Sequence, residues 1–130
     1  MQTDLEIKNE PYKDQQEIFR IKGNKISFGV VTYLGREGDA FIVYSPSFEV
    51  SGYGNSKEEA EASFNLNITL FCKDLYTQPI KTRDSILKDL GWSRAKFHTK
   101  NYSKAYIDND GVLQNFDAGT VERKYLEAVA

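Results

Sequence analysis

The stretch VYSPSFEVSGYGNSKEEAEASF, residues 43–64, decides how this chain folds. It opens with the strand-forming pair Val43 and Tyr44 and then meets Pro46. Proline has no N–H for a strand ladder, so a strand is predicted to end here, at a sheet edge. Gly52 and Gly54 allow the backbone to bend back. Ser56 then precedes Glu59 by three residues, the spacing of a capping box. Glu58, Glu59 and Glu61 lie near the positive end of the helix that this cap would start. Ala60, Phe64, Ile68, Phe71, Cys72 and Leu75 recur at three- and four-residue spacing and form one apolar stripe. The pattern predicts a helix over residues 57–76, closed by Pro79.

Upstream, KISFGVVTYL places Ile26, Phe28, Val30, Thr32 and Leu34 on one face and Ser27, Gly29, Val31 and Tyr33 on the other. Period two with β-branched and aromatic residues is a strand pattern. After GREGD, the segment AFIVYS resumes the alternation, so the two read as a hairpin. A short third strand, FEVSGYG, follows Pro46. The helix stripe is expected to cover the sheet, with Phe64, Ile68 and Phe71 on Phe28, Val30 and Phe41. Residues 1–17 are polar apart from Leu5 and Ile7 and read as an arm.

Downstream, TRDSILKDLGW reads as a shorter helix capped by Thr82 and stopped by Gly91. AKFHTKNYSKAYI is a weaker, wetter strand, and DNDG (residues 108–111) is a turn. VERKYLEAVA closes the chain as an amphipathic helix. The resulting division is an arm (1–17), an α+β domain (18–78) and a C-terminal α/β extension (79–130).

The 130 residues are enough for one domain, and with 40% hydrophobic content they can bury a core. Seventeen basic against 19 acidic side chains give a net charge of −2, so no global field draws the chain to nucleic acid or anionic membrane. The single cysteine, Cys72, forms no internal disulfide. The polar N-terminus lacks the apolar core of a secretory signal, and no stretch has the length of a membrane span. These features lead to the expectation of a cytoplasmic protein.

The ordered series of strand pair, aromatic-Pro bend, glycine-bearing strand and capped helix over residues 25–75 resembles the HicB-like antitoxin domain. The matching positions are Tyr44, Pro46, Gly52, Gly54, Ser56, Glu59 and Ala60. The resemblance implies a partial RNase-H-like fold. It also implies a non-enzymatic role, binding and neutralising a small toxin that cuts mRNA. The family's Pro-Asp-Leu-Pro-Gly-Cys series is here Pro46-Ser47-Phe48-Glu49-Val50-Ser51, and residues 79–130 match no DNA-binding module. The expected fold is a three-stranded antiparallel sheet with one main helix on one face, plus the C-terminal extension.

An RNase-H-like fold raises the question of nuclease activity, which needs several carboxylates converging on metal ions. Residues 25–34 and 40–46 contain neither Asp nor Glu. His98 is the only histidine, so no histidine pair can ligate a metal. Cys72 lies on the apolar stripe and reads as a core residue. The DNDG run supplies only fragments of a calcium loop. No catalytic residue, metal ligand or cofactor site is therefore expected. The expected partner contacts are Tyr44, Pro46, Phe48 and Tyr53. Lys96, Lys100 and Lys104, interleaved with Tyr102 and Tyr106, are the candidates for nucleic-acid phosphates. They carry the alternative of a regulator acting through its C-terminal region, and a hydrolase using Cys72 or His98 is a third option. An exposed sheet edge leads to the expectation of a homodimer or higher oligomer.

Overall fold

A computed structural model of the chain describes residues 5–13, 17–22, 25–94, 101–103 and 121–129. Its spine is a 13-residue strand, β3 (Lys25–Glu37). Along one side of β3 runs β8 (Glu122–Val129), antiparallel, from Ser27 opposite Val129 to Leu34 opposite Glu122. Beyond β8 lies β1 (Glu6–Pro11). The other side of β3 is shared by two strands. β2 (Ile18–Lys22) pairs with residues 25–29, and β4 (Ala40–Ser45) pairs with residues 33–37. β5 (Val50–Gly54) lies outside β4. β7 (Asn101–Ser103) lies outside β2, and β6 (Ser93–Arg94) outside β7. Helices α1 (Lys57–Thr77) and α2 (Ile80–Asp89) complete the described fold.

This architecture corrects the expected three-stranded sheet with one main helix. Among the described residues there is one antiparallel sheet of eight strands, six of them in a single path and β4 and β5 branching from β3. The largest departure is the C-terminal segment, read as a helix and found as β8. Over eight residues, three- and two-residue periods fit the same apolar positions. Tyr125, Leu126 and Ala128 are all buried, which a strand with both faces covered permits. Two turns of isolated helix are marginal in water, whereas β8 gains ladders on both sides. The supposed N-terminal arm likewise contains β1, with Leu5 and Ile7 packed against the core. The short β2 was passed over, although Phe19 and Ile21 alternate with Arg20.

The opening stretch folds much as it reads. β4 ends at Ser45, immediately before Pro46, although β5 rather than solvent lies on its outer side. Gly52 and Gly54 are places of close approach: a Cβ at either would overlap the α1 backbone at Ala60 or Phe64. Ser56 caps α1, its Oγ accepting the Glu59 N–H at 3.1 Å. Ala60, Phe64, Ile68, Cys72 and Leu75 are buried on the sheet, in one cluster with Phe28 and Val30, while Phe41 and Phe71 are partly buried against it. Helix α2 starts after Pro79 with no side-chain cap, not at Thr82, and Gly91 at φ +94° follows its end.

The turn between β4 and β5 brings Phe48 inward. Its ring centroid lies 5.1 Å from Phe28, 5.1 Å from Phe71, 5.4 Å from Trp92 and 5.6 Å from Phe19. At 2% exposure it is a core residue, which corrects the expectation that it offers a surface to a partner. The same turn closes a gap in the sheet. Neither the β2 nor the β4 ladder reaches residues 30–32 of β3. There the Val31 N–H donates to Glu17 Oε2 at 2.9 Å, and the Ser47 hydroxyl donates to the same carboxylate at 2.6 Å. The indole N–H of Trp92 donates to the Ser47 carbonyl at 3.1 Å. A buried carboxylate thus replaces a missing strand partner and ties the turn to β3, satisfying groups that burial would otherwise leave costly.

Candidate functional site

The sheet face turned away from α1 collects tyrosines. Alternation along each strand sends Ile42 and Tyr44, Ser51 and Tyr53, and Val31 and Tyr33 to this side. Tyr33 lies opposite Tyr44 on β4 and opposite Arg123 on β8. Tyr44 faces Ser51 and Ile42 faces Tyr53, so Tyr44 and Tyr53 are diagonal neighbours on one hairpin. Val31, Tyr33 and Tyr125 form a second buried cluster, with Tyr12 and Val121 partly buried against it. The Arg123 guanidinium stacks 4.1 Å over the Tyr12 ring. Among the described residues, five tyrosines therefore share one face.

Their exposure divides them by role. Tyr33 and Tyr125 are buried and build the face, while Tyr53 is 60% exposed and Tyr44 is half-buried diagonally from it; Pro46, in the turn after β4, is also half-buried. Gly29 makes room for Tyr125, since a Cβ there would overlap the phenol. Burial pushes the Tyr125 hydroxyl up to about 12, with the charges of Glu127, Glu17 and Glu10 acting the same way. Burial and then Glu49 raise Tyr44. Both phenols keep their protons at neutral pH and can act as donors. An exposed tyrosine offers a flat apolar ring and a hydroxyl with little entropy to lose, the combination enriched at protein interfaces.

Of the four expected partner contacts, the structure sets Tyr44 and Tyr53 as diagonal neighbours on one hairpin, leaves Pro46 half-buried in the turn at that hairpin's end, and places Phe48 in the core. Lys96, Lys100, Lys104 and His98 lie outside the described residues. Cys72 is buried, and its thiol is pushed up to about 12 by that burial. Among the described residues no group of three or more His, Cys, Asp or Glu is arranged to hold a metal. No helix among them is long and apolar enough to cross a membrane. The sequence reading missed Arg123 and Tyr125 as members of this face because it placed them on a helix. The alternation of Arg123, Tyr125 and Glu127 with Lys124, Leu126 and Ala128 was the available signal.

Comparison with known proteins finds no matching family model, no similar curated protein and no similar solved structure. The fold and the site therefore stand on their own geometry, an antiparallel sheet with α1 on one face and a tyrosine-rich opposite face.

Proposed function

We propose that this chain is a non-enzymatic protein-binding module of the cytoplasm, a HicB-like antitoxin or an orphan relative of that kind, whose partner is a small basic ribonuclease. The observation that carries the reading is the hairpin surface of Tyr44 and Tyr53, where exposed aromatic area adjoins the buried tyrosine cluster. Preorganised aromatic anchors of this type dominate interface energies when they enter a partner's pocket. The acidic Glu49 beside Tyr44 suits a basic partner at this surface. The ordered series from Tyr44 to Ala60 supports the HicB-like assignment.

The test is affinity capture from the native host, with wild type and Tyr53→Ala side by side. Recovery of a small basic ribonuclease by the wild type, and its loss with the folded variant, supports the proposal. Recovery of nothing but the chain itself removes the antitoxin role.

A further inference from the structure

The edges of this sheet are not equivalent. On the outer side of β5, the Tyr53 N–H donates to Ser63 Oγ at 3.2 Å, and the Ser51 carbonyl accepts from Asn67 Nδ2 at 2.8 Å. Side chains of α1 thus occupy the backbone groups that an added strand would use, one of the ways proteins blunt an edge. β6 offers only two residues. β1 offers six, and among the described residues it pairs with β8 alone. Its helix-side Ile7, with Leu5 just before the strand, floors an open groove of about 500 Å³ walled by Asn65, Leu66 and Thr69. Leu66 is 61% exposed. On the other face β1 presents Glu6 and Lys8, both exposed.

From this edge we propose that a second copy of the chain adds antiparallel, β1 against β1, about a two-fold axis at Ile7. A two-fold axis normal to the sheet keeps every residue on its own face, so only registers centred on a residue are allowed. Centring on Ile7 sets Ile7 against Ile7, Glu6 of each copy against Lys8 of the other, and Leu5 against Asn9. Opposite charges then meet twice, and the two apolar floors lie side by side. Centring on Lys8 sets Lys8 against Lys8 and Glu6 against Glu10. Centring on Glu6 sets Glu6 against itself. Like charges directly opposite are destabilising. Centring on Asn9 also sets Lys8 against Glu10, but it puts Pro11, which has no N–H, opposite Ile7. Within β1 the Ile7 register thus sets opposite charges and apolar floors together while keeping the proline out of the new ladder, which favours a second copy over an unrelated strand. The interface lies at the opposite end of the sheet from Tyr44 and Tyr53, so it does not depend on the ribonuclease reading.

The register provides its own test. Glu6→Lys and Lys8→Glu change exposed side chains, and each converts both cross-pairs of the homodimer into like-charge pairs. In a mixed dimer of the two variants, Lys at 6 and 8 of one copy meets Glu at 8 and 6 of the other, so both pairs are complementary again. Sedimentation equilibrium over a micromolar concentration series should show a wild-type dimer. Each variant alone should dissociate roughly tenfold more readily or worse, from two pairs reversed in sign. Native mass spectrometry of the mixture should show the heterodimer in excess over both homodimers. Circular dichroism melts of both variants confirm that the fold is kept, including for Lys8→Glu, which also faces Glu127 across β8. A monomeric wild type overturns the proposal. So does a dimer indifferent to either substitution, or a mixture with no preference for the heterodimer.

Discussion

The buried carboxylate of Glu17 can be tested by a double-mutant cycle with Ser47. Ser47→Ala removes the 2.6 Å hydroxyl donor and leaves the carboxylate only the Val31 N–H among its described partners. A hydrogen bond to a charged group contributes about 1.5–3 kcal/mol, so the substitution should cost about 2 kcal/mol. Glu17→Ala does more. It strands the Val31 N–H and the Ser47 hydroxyl inside the protein and opens a cavity at a residue that is 2% exposed. An unsatisfied buried donor costs about 1–3 kcal/mol, so two donors plus lost packing bring the total to about 3–5 kcal/mol. The double variant has no carboxylate for Ser47 to serve, so its cost should fall short of the sum by about 1–3 kcal/mol. Urea unfolding followed by tryptophan fluorescence is the assay, since Trp92 bonds directly to the Ser47 carbonyl. Additivity to within about 0.5 kcal/mol would refute the direct coupling of the two side chains. A Ser47→Ala cost near zero would show that the carboxylate is not desolvated.

Three further outcomes follow from the packing. Phe64→Ala should cost about 3–5 kcal/mol by emptying the α1–sheet contact, while Ser56→Ala should cost about 1 kcal/mol by removing one cap. The reverse order in urea denaturation would mean that the α1 stripe does not face the sheet. Glu49 holds a left-handed backbone at φ +54°, so Glu49→Gly should raise stability by about 1 kcal/mol if relief of the steric cost of that region exceeds the entropy cost of glycine. Unchanged or lowered stability would show that the turn carries no strain. Cys72 and Tyr125 are raised from 9.0 and 10.0 to about 12. Below pH 9 both are protonated folded or unfolded, so their contribution is complete. Between pH 9 and 12 only the unfolded chain releases these protons, so stability must fall as pH rises. Cys72→Ala should flatten part of that slope, and iodoacetamide should modify Cys72 of the wild type only after unfolding. Rapid alkylation of the native chain would contradict its burial.

Much of the centre was legible in the sequence because local signals there agree with one another. Pro46, Gly52, Gly54 and Ser56 each impose a backbone state that short-range chemistry dictates, and the α1 stripe is long enough for its period to be unambiguous. The ends were not legible. β1 and β8 pair with each other across more than a hundred residues of chain, and a short amphipathic segment does not declare whether its partner will be a strand or solvent. The inward turn of Phe48 was hidden for a related reason. Its burial depends on Phe19 and Trp92, which no local pattern connects to it. The tyrosine face was half legible: Tyr44 and Tyr53 follow from the β4–β5 hairpin, while Tyr125 and Arg123 join it only once β8 is seen as a strand.

The most direct measurement of the proposed role is inhibition of RNA cleavage. The ribonuclease captured from the native host is titrated with the purified chain, and cleavage of a labelled RNA is followed. Cleavage should stop at a fixed stoichiometric ratio with the wild type and should persist at the same ratio with Tyr44→Ala/Tyr53→Ala. Cleavage that continues undiminished in the presence of excess wild-type chain would contradict the assignment of this surface to toxin neutralisation.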